Sequence, residues 1–116
     1  MNADERLAAA LMSLVDQNRR LDMDLPSLLR NVKRHVKEAQ KDEFLKARAH
    51  GKDTKLGDSI TWMGTGERAR DSFTIAIRSV ELKNLLYLKG VEIQVEESDD
   101  QPILVRISPI DPTPAT

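Results

Sequence analysis

Arg30, Lys33, Arg34, Lys37 and Lys41 recur at spacings of three and four residues, so on a helix they gather along one side. Lys46, Arg48, Lys52 and Lys55 carry the basic run onward. Such a row suits a phosphate backbone, because each neutralised phosphate releases condensed counterions and adds affinity that salt removes. The same residues also suit a solvated helix face, paired in part by the interleaved Glu38, Asp42 and Glu43. In this reading no aromatic residue stands among the cations as a platform for bases.

Two further groups could meet a ligand or partner. Gly64 and Gly66, with Glu67, Arg68 and Arg70 behind them, superficially suggest a phosphate cradle. A P-loop needs a Lys-Ser/Thr pair after its last glycine; Glu67 stands there instead, and only Arg68 and Arg70 restore the sign. Trp62, just ahead of the glycines, suits either a partner contact that fills a pocket or a cap over the core. Glu96, Glu97, Asp99 and Asp100, with Glu92, form an acidic edge that fits charge-complementary docking or a solvated hairpin tip. The EF-hand spacing of oxygen ligands is absent, so no metal is expected.

Catalytic chemistry is poorly served. There is no cysteine, which removes thiolate metal sites, Cys nucleophiles and disulfide scaffolds. His35 borders an apolar stripe and His50 precedes Gly51 at a helix end, and both positions read as structural. No nucleophile elbow or zincin pair occurs. The expectation is a protein without enzymatic activity and without a cofactor.

These residues must be positioned by a single domain of 116 residues. Aromatic residues are 3% of the chain, namely Phe44, Trp62, Phe73 and Tyr87, so Leu, Ile, Val and Ala must fill the core. Charge is segregated: residues 26–55 carry nine basic and four acidic side chains, whereas residues 89–116 carry two and six. The net formal charge of −1 hides that polarity. No stretch approaches the roughly 20 apolar residues that span a bilayer, and Asp4 and Glu5 sit where a signal peptide wants positive charge. No membrane role and a cytoplasmic location are therefore expected.

Periodicity predicts a helix over residues 3–20 with Leu7, Leu11, Leu14 and Val15 on one face and Asn2 as its cap. A short connection over 21–25 leads to Pro26 in the first turn of a second helix, which stops at Gly51. Its apolar stripe drifts between Ala39 and Phe44, which leaves a bend near Lys41 and Asp42 open. A Gly-rich loop over 51–71 follows, with one short strand allowed at 59–63. Phe73, Ile75 and Ile77 alternate with Thr74, Ala76 and Arg78, which predicts a strand; one helix over 71–88 is the rival reading. Ser79 caps a helix that ends at Gly90, then strands 91–95 and 103–107 flank a polar loop over 97–102. The tail from Pro109 is expected to be irregular and mobile.

The order strand, helix, strand, strand over residues 73–107 is similar in local architecture to half of a domain of the DNA sliding clamps. The helix 79–88, the strand 91–95 and the Pro102-Ile103-Leu104-Val105 strand carry this likeness, which spans about a third of the chain. It includes no diagnostic residue and has no counterpart for the helical first half.

The sequence thus predicts an α+β domain: a two-helix N-terminal hairpin, then a small, largely antiparallel sheet of three or four strands with a further helix packed on it. The expected function is a protein–protein interaction module that also pairs with itself as a homodimer, using Trp62, Arg68, Arg70, Glu96, Glu97, Asp99 and Asp100. Nucleic-acid binding through the basic helix is the second expectation. An anionic-ligand site or enzyme at residues 64–70 is the third.

Overall fold

A strand of only four residues organises the molecule. The structure, a computed structural model, describes residues 2–51 and 60–110. Lys52, Lys55 and residues 111–116 lie outside the described residues. The chain opens with helix α1 (Ala3–Leu14), whose first turn is closed by the Asn2 carboxamide accepting from the Glu5 amide at 2.8 Å. Strand β1 (Leu21–Asp24) then runs straight into helix α2 (Leu25–Ala49). Leu21 and Met23 turn inward from β1 while Asp22 and Asp24 turn outward. The expected connection between two helices is therefore the third strand of the sheet.

That sheet has the order β1-β3-β2 and is antiparallel throughout, with β2 at Val91–Ser98 and β3 at Gln101–Pro109. Register places Leu21, Ile107 and Ile93 in one row and Met23, Val105 and Val95 in the next, all on the face that meets the helices. On the opposite face Arg106 reaches Asp22 at 3.5 Å and Glu96 at 3.1 Å, an ion triad that ties all three strands. Both strands run further than expected. Ser98 pairs with Gln101, so the turn is Asp99-Asp100, and Pro109 pairs with Val91 instead of starting the tail. Pro102 and Pro109 lie outside the stretch of β3 that β1 covers, where a missing N–H costs no ladder bond on that side.

Residues 73–77 are not a strand. Thr61–Met63 form a 3-10 turn, and helix α3 runs Gly66–Ile77, so the second half of the expected Gly-rich loop holds helical structure. Ala69, Phe73 and Ile77 are buried at intervals of four, while Ile75 is 72% exposed. The apparent alternation was two inward residues with an outward one between them. This removes the first strand from the likeness to the sliding clamps. Helix α4 (Val80–Leu88) follows, with the Ser79 hydroxyl accepting from the Leu82 amide at 3.1 Å. Gly90 ends it at φ 87°, where a Cβ would lie 2.9 Å from the Arg19 guanidinium.

Helices α1, α2, α3 and α4 close over the inner sheet face around Leu7, Leu11, Leu28, Val32, Phe73, Leu82, Leu86 and Ile107. Each such aliphatic side chain contributes about 1.5–3 kcal/mol of hydrophobic burial. Trp62 belongs to this core at 3% exposure, edge-on to Phe73 with ring centroids 5.5 Å apart. In urea unfolding, Phe73→Ala is expected to cost about 3–5 kcal/mol. Ile75→Ala is expected to stay within about 0.5 kcal/mol, as an exposed site should. Equal losses at the two positions would restore the strand.

Candidate nucleic-acid interface

Helix α2 is continuous for 25 residues and does not break near Lys41 and Asp42. Asp24 starts it by accepting from the Ser27 amide at 2.8 Å, and Pro26 sits in its first turn. Its buried side chains are Leu25, Leu28, Leu29, Val32 and Val36, and no residue after Val36 is buried. With a rise of 1.5 Å per residue, about 20 Å of helix lies beyond the last core contact. The long element also fits a radius of gyration of 15.7 Å, against roughly 13 Å for a compact chain of this length.

Arg30, Arg34, Lys37, Lys41 and Arg48 are all exposed, and helical geometry sets them opposite the buried stripe. The ion pairs among the described residues are Arg78–Glu97, Arg106–Asp22 and Arg106–Glu96. None involves a cation of α2, although Glu38, Asp42 and Glu43 share the helix. The row is therefore not neutralised by its own acids. Two of its members are steadied by short-range bonds: Arg30 donates to the Ser27 hydroxyl at 3.3 Å, and Arg34 donates to the Asn31 side-chain oxygen.

Continuity of α2 corrects the reading of Phe44. A helix unbroken at Asp42 places Phe44 three residues after Lys41 and four before Arg48, along the edge of the basic row that borders the buried stripe. The ring is half-buried, yet it is not among the side chains packed on the core, and its neighbour Leu45 is 52% exposed. The cation row does have one aromatic ring along its edge.

The fold also joins two features that lie far apart in sequence. Lys33 turns from the row toward α3 and donates to the Gly64 carbonyl. Pro26, Leu29, Arg30, Lys33, Gly66, Ala69 and Arg70 line an open groove of about 410 Å³ between α2 and the start of α3. Three cations thus border one groove, beside a helix start whose Thr65 makes no side-chain cap. Glu67 offsets part of that charge.

The remaining candidates separate. Trp62 is buried and so cannot anchor a partner, because the 3-10 turn folds it onto Phe73. Arg68 is exposed on α3 and does not line the groove. Glu96 is held by Arg106 and Glu97 by Arg78, so two of the five acids of the edge are tied within the molecule; Asp99 and Asp100 are exposed at the turn. His35 is half-buried, as expected of a core edge, and lines a small apolar cavity with Arg6, Ala9 and Glu43. No group of three or more metal-ligating side chains occurs among the described residues. No helix among them is long and apolar enough to cross a membrane. No family model matches the chain, and no curated protein or solved structure is significantly similar to it.

Asp24 is the acid closest to the start of the row. The Ser27 amide and then the Ser27 hydroxyl hold its carboxyl below the usual carboxylate range; desolvation opposes them, and the charge of Arg30 lowers it by the least. A carboxyl depressed in the folded state stabilises it above the unfolded pKa of about 3.9 and loses that contribution as pH falls through the lower folded value. Chemical denaturation at pH 5 and at pH 2.5 should therefore show a smaller acid loss for Asp24→Asn than for the wild type. Identical acid losses would mean that the cap carries no charge-dependent stability.

Proposed function

We propose that this protein binds single-stranded nucleic acid along the outward face of α2. The observation that carries this reading is the exposed row Arg30, Arg34, Lys37, Lys41 and Arg48, which makes no ion pair among the described residues and has Phe44 along its edge. From Arg30 to Arg48 the row runs about 27 Å along the helix, which is long enough to follow several backbone phosphates. A cationic track with an aromatic ring is the usual chemistry of single-strand binding, since any base can stack on a ring while the backbone meets the charges. Arg70 and the groove at α3 extend the positive surface past the first turn of α2.

The polarity of the molecule gives this binding a direction. The opposite face of the sheet presents Asp22, Glu92 and Glu96, and the β2–β3 turn presents Asp99 and Asp100. A polyanion is repelled there and steered to α2, although the net charge of −1 keeps the long-range attraction modest. Nothing in the row offers a fixed set of donors and acceptors to base edges, so binding is expected to be sequence-tolerant.

For an unstructured oligonucleotide, five phosphate contacts predict that log affinity falls with log salt at a slope of about −3.5. Charge reversal by Lys37→Glu with Lys41→Glu should weaken binding steeply and bring the slope nearer −2. Phe44→Ala should cost about 1–3 kcal/mol if one base stacks on the ring. Fluorescence anisotropy measures all three. Binding that ignores salt, or that survives the charge reversal, rejects the reading.

A further inference from the structure

Helix α4 has two apolar faces, and the described residues cover only one of them. Leu82 and Leu86 are fully buried against the core, whereas Val80, Tyr87 and Leu88 are 66%, 61% and 83% exposed. Together with the exposed Asn84 they fall at i, i+4, i+7 and i+8, which is the spacing of a helix–helix seam. We infer that this outer face of α4 is covered by α4 of a second copy of the same chain, crossing antiparallel on a two-fold axis near Asn84.

The seam complements itself in both shape and polarity. Reversed about Asn84, it sets the small Val80 against the partner's Tyr87 and the partner's Leu88, and the same match repeats on the other side of the axis. Asn84 sits where the two-fold passes. Its carboxamide is both donor and acceptor, so two copies can satisfy each other there. An apolar partner would leave that amide desolvated without a bond, which disfavours it relative to self-pairing. A polar residue of this kind within an apolar seam is also the known device for fixing register and copy number between helices.

Size sets the strength. The exposed parts of Val80, Tyr87 and Leu88 amount to on the order of 400 Å², within the range of the largest apolar patch on a monomer. A standard interface buries about 800 Å² on each partner, so α4 forms the centre of a reversible dimer with a concentration-dependent mass. The seam is independent of the α2 row and makes no use of nucleic acid, so failure of one reading leaves the other standing.

Sedimentation of the intact chain should show monomer and dimer exchanging with concentration. Tyr87→Glu and Leu88→Glu should each shift the mass to monomer, with thermal unfolding of the diluted monomer unchanged because both side chains are exposed. The chain has no cysteine, so Asn84→Cys introduces a single thiol. Mild oxidation should link Asn84→Cys into a dimer roughly tenfold or more faster than Glu67→Cys on exposed α3, owing to the raised local concentration. A monomer at every concentration overturns the inference. So does a dimer that persists in both glutamate variants, or Asn84→Cys linking no faster than the control.

Discussion

Helix α2 is longer than the core that supports it, and much of the molecule's character follows from that mismatch. Its apolar stripe meets the sheet and the other helices from Leu25 to Val36, which secures the first three turns. The remaining turns hold no glycine or proline and are rich in Lys, Glu, Gln, Ala, Leu and Arg, residues that keep a helix without burial. Lys46 and Arg48 in the last turn, with Gly51 at φ 69° beyond it, complement the negative end of the dipole and stop the helix. Arg30 and Arg34 are exposed because they lie opposite the buried stripe, and Lys41 and Arg48 also because the helix runs past its last buried residue.

The sheet supplies the opposite pole. Its inner face is aliphatic, and its outer face is organised by Arg106 between Asp22 and Glu96. Each exposed ion pair is worth little by itself, but one guanidinium that engages both outer strands also fixes their register relative to β3. Acids gather on this side and bases on α2, so a nearly neutral chain is strongly polar across its thickness.

Several starts and stops were legible from residue types alone: Asn2, Pro26, Ser79 and Gly90 each start or end a helix as their chemistry requires. The β2–β3 hairpin was legible from its alternation, though Pro102 and Pro109 concealed the strand ends. Strand β1 was not, because Leu-Asp-Met-Asp is short and Asp is a poor strand residue; only pairing with β3 makes it one. Residues 73–77 misled through a local period of two, while the decisive spacing of four begins upstream at Ala69. The site was half visible. The cation row could be read, but the place of Phe44 along its edge depends on helix continuity. The contact of Lys33 with Gly64 joins residues 31 apart and has no local signal.

Helix α2 is the surface proposed to meet a polyanion. Backbone amide chemical shifts, followed by NMR as an unstructured oligonucleotide is added at low salt, test this most directly. The predicted result is a set of perturbed amides running along residues 30–48 and reaching Arg70, with β2 and α4 unmoved. Perturbations confined to β2 or to α4, or none at saturating oligonucleotide, would contradict it.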